Sequence, residues 1–61
     1  MNEQDVIRRK IETLKVEHRD LDDAIARIAE TPPFDQIQIQ RLKKRKLMLK
    51  DQITRLESKL L

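Results

Sequence analysis

TPPFD, residues 31–35, decides how this chain folds. Long stretches with helical apolar spacing lie on either side, and one helix could run through the segment only by tolerating two adjacent prolines. Pro32 and Pro33 lack amide donors, and the ring of Pro33 pushes Pro32 out of the helical region, so the first helix must stop near Thr31. Asp35 then reads as an N-cap. Gln38 lies three residues on, in a Gln version of the capping box, and Phe34 is placed to pack on Ile39 as a hydrophobic staple. The expected organisation is one domain over residues 1–61, with a helix over 3–30, a Pro-Pro corner at 31–35 and a helix over 36–60.

Working outward from the corner, the large aliphatics keep a coiled-coil rhythm. Before it they step by alternating fours and threes through Ile7, Ile11, Leu14, His18, Leu21, Ile25 and Ile28; after it the seam resumes with Ile39, Leu42, Lys46, Leu49, Ile53, Leu56 and Leu60. The heptad phase is unbroken across the corner, so a continuous parallel coiled coil has to be weighed. It would place Pro32 and Asp35 on seam positions, and a central proline costs a helix about 3 kcal/mol. An antiparallel hairpin is the better solution. Folding at the corner pairs Ile28 with Ile39, Ile25 with Leu42, Leu21 with Lys46, His18 with Leu49, Leu14 with Ile53, Ile11 with Leu56, and Ile7 with Leu60. The flanking charges support this register only in part. Arg8 opposite Glu57 and Asp22 opposite Lys43 are favourable, whereas Lys15 opposite Lys50 and Lys10 opposite Lys59 are not. Exposed pairs are worth about 0 to 1 kcal/mol, too little to shift a register set by apolar layers.

Fold class is therefore all-α: an antiparallel, coiled-coil-like helical hairpin. Twelve Ile and Leu residues on the seam would contribute on the order of 20 to 35 kcal/mol if fully buried, but two helices cover about half of each. The remainder needs a partner, and self-association into a dimeric four-helix bundle is the simplest source. Val16, Ile37, Leu47 and Met48 lie off the seam, as a candidate second apolar contact or as scattered exposed residues.

Composition narrows the class further. Sixty-one residues make one small domain at most, and the absence of cysteine removes disulfides and thiolate metal sites. The longest apolar run is Leu47-Met48-Leu49, far short of the roughly 20 residues of a membrane span, and MNEQDVIRRK at the start lacks the apolar core of a signal peptide. A cytoplasmic location is expected. Forty-one per cent charged residues with one aromatic and no glycine would suggest disorder if the apolar periodicity were not sustained.

LKVEHRDLD (14–22), PPFD (32–35) and RLKKRKLMLKDQI (41–53) together resemble the YdcH-like family of small bacterial proteins of unknown function, in order and over nearly the whole chain. The resemblance implies a cytoplasmic bacterial helical hairpin. It implies no activity, so function has to be argued from the residues.

His18 is the only histidine, and with Asp22 at i+4 it makes half of a metal site. Zinc needs three or four ligands, so the plainer reading is a polar interruption of the seam, facing Leu49 and bonded to a neighbour such as Gln52. No metal and no cofactor is expected. A two-helix rod offers no concave pocket in which to desolvate a catalytic carboxylate, the four hydroxyl residues lack a base at usable spacing, and without glycine there is no glycine-rich phosphate loop. The chain is not expected to be an enzyme. Lys46 falls opposite Leu21, where its stem can lie over the core and its ammonium can reach Glu17 or Asp22; with His18 in the adjacent layer it forms a polar band suited to fixing register or oligomeric state.

Charge is divided unevenly. Residues 1–31 carry six cations and eight anions, and residues 32–61 carry eight cations and three anions, so the two helices are complementary. Arg41, Lys44, Arg45, Arg55 and Lys59 share one flank of the second helix, a stripe that could follow a phosphate backbone. Against a nucleic-acid role stand the lack of aromatics for stacking and the presence of Glu17 and Asp20 on the adjoining flank. Membrane-surface binding is disfavoured by the absence of an aromatic, leucine-rich face. The expected function is a small non-catalytic scaffold or adaptor that binds protein partners, itself or another helical surface; the alternative is a nucleic-acid-associated protein using the basic stripe.

Overall fold

A computed structural model of the protein describes residues 1–33 and 35–60. It holds two helices, α1 (Glu3–Glu30) and α2 (Gln36–Glu57), which fold back on one another as an antiparallel hairpin measuring 48 × 15 × 12 Å. The helix boundaries follow from local chemistry. Asn2 caps α1, its side-chain oxygen accepting from the Asp5 amide at 2.9 Å, and Glu3 and Asp5 place negative charge on the positive end of the helix dipole. At the other end Thr31 leaves helical geometry (φ −110°, ψ 99°), its amide donating to the Ile28 carbonyl at 3.4 Å. Pro32 and Pro33 follow, joined by a cis peptide. Asp35 then opens α2, its Oδ1 accepting from the Gln38 amide at 3.1 Å. The staple expected of Phe34 lies outside the described residues.

One boundary differs from expectation. The second helix was expected to reach residue 60 and instead ends at Glu57. Ser58 is the cause: its hydroxyl donates to the Arg55 carbonyl at 2.6 Å, and the bonds beyond it tighten to three-residue spacing, Lys59 N–H to Leu56 O at 3.0 Å and Leu60 N–H to Glu57 O at 3.1 Å. Leu60 still turns inward and stays half-buried, so the seam outlasts the helix.

All fourteen seam residues are withdrawn from solvent at least in part, while the other large apolar side chains among the described residues, Met1, Val6, Val16, Ile37, Leu47 and Met48, are more than half exposed. Among the described residues only Ile11, Leu49 and Ile53 are buried, at 5 to 8% exposure. These three sit between the middle of the rod and its open end. The corner half of the seam, Leu21, Ile25, Ile28, Ile39 and Leu42, is half-covered throughout.

The flanking charges are rearranged relative to their expected opposites. Arg8 contacts Asp5 of its own helix at 3.8 Å, leaving Glu57 to Lys15 at 3.7 Å, and Asp22 takes Lys46 rather than Lys43. Lys15 was expected to confront Lys50. Its stem spans the axial offset of about 7 Å to Glu57 and so converts a repulsion into an attraction. Replacing Asp35 with Ala removes the oxygen that satisfies the Gln38 amide and is expected to cost about 1 kcal/mol, whereas Asp35→Asn should retain most of the stability; urea midpoints of the two variants check this.

Candidate functional site

Three groups of residues stand out from an otherwise generic rod: a polar band in the seam, a basic flank, and the off-seam apolar residues. The polar band is organised by a residue on its edge. Asp22 lies on α1 one turn after His18, and its two oxygens face different partners: Lys46 Nζ is 2.8 Å from Oδ1, and His18 Nδ1 is 3.6 Å from Oδ2. Lys46 thus crosses from α2 to reach Asp22. Glu17, the other acid within its reach, is held by Arg45 of α2. His18 finds its polar contact in Asp22 instead of Gln52, and across from it Leu49 is buried. No group of three or more His, Cys, Asp or Glu converges among the described residues, so His18 and Asp22 have no further ligand beside them.

The electrostatics of the band follow from that geometry. The hydrogen bond from Lys46 holds the Asp22 carboxyl below the 3.8 of an unperturbed aspartate; partial desolvation opposes this, and the charges of Lys46 and His18 add to it. A carboxyl depressed in the folded state stabilises the fold above its unfolded pKa, and that contribution is lost as pH falls through the lower folded value. Asp22→Asn should therefore melt below the parent at neutral pH, and the gap should close as the pH drops below about 4; melts across pH 2 to 7 provide the check.

The basic flank is less open than the sequence implies. Arg45 is turned onto Glu17 across the helix interface, and Arg55 is 3.0 Å from Asp51 one turn before it. Arg41, Lys44 and Lys59, three of the five cations of the stripe, have no ion pair among the described residues. Helical periodicity also sets Ile37 and Met48, eleven residues apart, on the same line of α2 as Arg41, Lys44 and Arg55. Of the four residues of the candidate second apolar contact, Leu47 is a quarter-turn off that line and Val16 is on the other helix. They are exposed by 51 to 65% and form no single patch.

Near the open end of the rod, Lys10 of α1, Gln52 and Arg55 of α2 and Lys59 just past the end of α2 line a shallow groove with Leu14 and Leu56 at its base. The antiparallel register pointed to Lys10 opposite Lys59; it did not bring Arg55 to the same place. Reading the residues just before each seam position on both helices as one flank would have found this cluster, and also the Glu17–Arg45 pair. No signal in the seam itself marks either.

The sequence profile of a family described as "Protein of unknown function (DUF465)" matches residues 11–57. The chain belongs to the DUF465 family. YdcH-like proteins make up this same family, so the resemblance noted above leads to the same place. The DUF465 span takes in the polar band, the corner and the basic run, and leaves Lys10 and Lys59 of the groove outside it. No curated protein and no solved structure matches the chain. Among the described residues, no helix is long and apolar enough to cross a membrane.

The geometry of the band predicts the outcome of filling it with an aliphatic side chain. Lys46→Leu should raise the melting temperature, because leucine buries more apolar area than lysine and the lost ion pair is half-exposed. The same variant should sediment as a mixture of assemblies, as happens when polar residues are removed from coiled-coil seams; a stability below that of the parent would instead make the Lys46–Asp22 pair essential.

Proposed function

We propose that this DUF465 protein is a small non-catalytic scaffold or adaptor of the cytoplasm that self-associates and binds protein partners through its helical surfaces. The observation that carries this reading is the incomplete seam: of fourteen inward positions only Ile11, Leu49 and Ile53 are buried, and the corner half is half-covered along its length. A row of Ile and Leu left half in water is what a missing neighbour looks like. A second hairpin laid along the first would cover it and produce a four-helix bundle, the assembly favoured here.

The grooves of the described residues are shallow and open, one at Lys10, Leu14, Gln52, Arg55, Leu56 and Lys59, the other at the corner around Arg27, Ile28, Thr31, Pro33, Asp35 and Gln38. Neither offers the enclosure that shifts the pKa of a catalytic acid or base, which supports the non-catalytic reading.

Sedimentation at micromolar concentration tests self-association, with a dimer the expected species. A paired substitution reports on which face is covered. Ile53→Ala should cost about 2 to 5 kcal/mol in any state, whereas Ile25→Ala should approach that loss only if another chain buries the corner half of the seam. A small loss at Ile25 together with a monomeric protein would end the scaffold reading. Affinity capture with and without nuclease then separates protein partners from the competing class, since recovery of nucleic acid alone would favour the basic stripe as the working surface.

A further inference from the structure

The groove at the open end is arranged against the stability of the hairpin. Lys10 approaches it from α1 and Lys59 from the turn that follows α2, Arg55 joins them, and the only ion pair among the described residues there is the one from Arg55 to Asp51. Arg55 and Asp51 are 76% and 60% exposed, so this pair is well solvated and Arg55 can be redirected at little cost. One acid set against three cations leaves the groove positive. Beneath the cations lie Leu14 and Leu56, seam residues that the hairpin leaves half-covered. Elsewhere on the interface the chain does neutralise its cations across the helices, with Glu17 on Arg45, Glu57 on Lys15 and Asp22 on Lys46. In the open-end groove none of the three cations has an acid from the other helix among the described residues.

We propose that this groove is a docking site for an acidic amphipathic segment of a different protein, its carboxylates meeting Lys10, Arg55 and Lys59 and an aliphatic side chain closing over Leu14 and Leu56. The proposal deepens the adaptor reading, on which it rests, by assigning the place and the chemistry of the partner. Charge complementarity selects the occupant. A second copy does not fit, because a two-fold contact uses the same surface on both chains. Side by side in the same direction, two copies would set Lys10, Arg55 and Lys59 against themselves. In opposite directions they would meet the corner end of the same flank, where Glu17 is already held by Arg45 and Asp20 is outnumbered by Arg27 and Arg41. Nucleic acid would satisfy the cations but leave the leucine base wet, and the chain has no tyrosine or tryptophan to stack a base. An acidic segment with one apolar edge satisfies both halves of the groove. Cationic rims of this kind set partner choice and association rate by excluding basic and neutral surfaces.

The test uses the full chain and a fluorescein-labelled helix-forming peptide with leucine on one edge and glutamate beside it, compared with the same peptide carrying glutamine for glutamate. The glutamate peptide should bind about tenfold or more tightly than the glutamine peptide, with affinity falling as salt rises. Lys10→Glu should reduce that affinity about tenfold while raising the melting temperature, since it places an acid opposite Lys59 and Arg55. Lys43→Glu changes net charge equally on the other flank and should leave binding within about twofold of the parent. No binding by the parent, or equal losses in Lys10→Glu and Lys43→Glu, would overturn the site. So would tighter binding of a single-stranded oligonucleotide that is lost in Lys10→Glu, or a change in sedimentation caused by that variant, which would make the groove a contact between copies. A parent that is monomeric yet binds the peptide through Lys10 would uphold the groove while removing the self-association on which the scaffold reading depends.

Discussion

One geometric limit governs the molecule: a pair of helices shares a single line of contact, and a side chain on that line is enclosed only from the partner's side. An apolar side chain that is to be covered must lie on one edge of its helix, and even there it remains partly wet. The seam obeys the limit strictly, with all fourteen positions drawn inward and only three of them sealed. The corner exists to make this contact. Thr31 and the two prolines end α1, Asp35 restarts the helix, and the chain returns along its own length with its apolar edge facing itself.

Because the apolar contact is thin, polar pairs decide more than they would in a larger core. Asp22 gathers Lys46 and His18 at the point where the seam is interrupted, and Glu17 holds Arg45 one turn away on the opposite flank. These contacts lie near the middle of the rod and pin the helices against sliding by a heptad, a movement that the regular spacing of Ile and Leu would otherwise permit. A solvated ion pair is a weak source of stability and a good source of register, since a slip of seven residues would leave Lys46 without Asp22.

The fold was largely legible from residue spacing. Alternating threes and fours named the seam, the prolines named the corner, and apolar layers paired across it gave the register, because backbone geometry and burial act on residue type alone. Side-chain pairing was less legible. Lys15 and Arg8 did not take their geometric opposites, since long flexible cations choose among several acids within a turn or two at nearly equal energy. The Asn2 cap could be found by the same rule that found Asp35, and the end of α2 depended on a hydroxyl competing for one carbonyl at Ser58. The open-end groove needed residues from both helices at once. Read singly, Lys10 is one more exposed lysine, and only the antiparallel fold sets Lys59 and Arg55 beside it.

The off-centre position of the three buried residues makes the two ends of the rod mechanically unequal. Helical hairpins ordinarily loosen first where their chain ends are, and the loop holds them together. Here the enclosed residues Ile11, Leu49 and Ile53 lie toward the chain ends, while the corner half carries only half-covered layers beyond the Leu21–Lys46 interruption. Local opening is therefore expected at the corner, with the backbone amides of residues 21–30 and 36–46 exchanging with solvent ahead of those around Ile11 and Ile53.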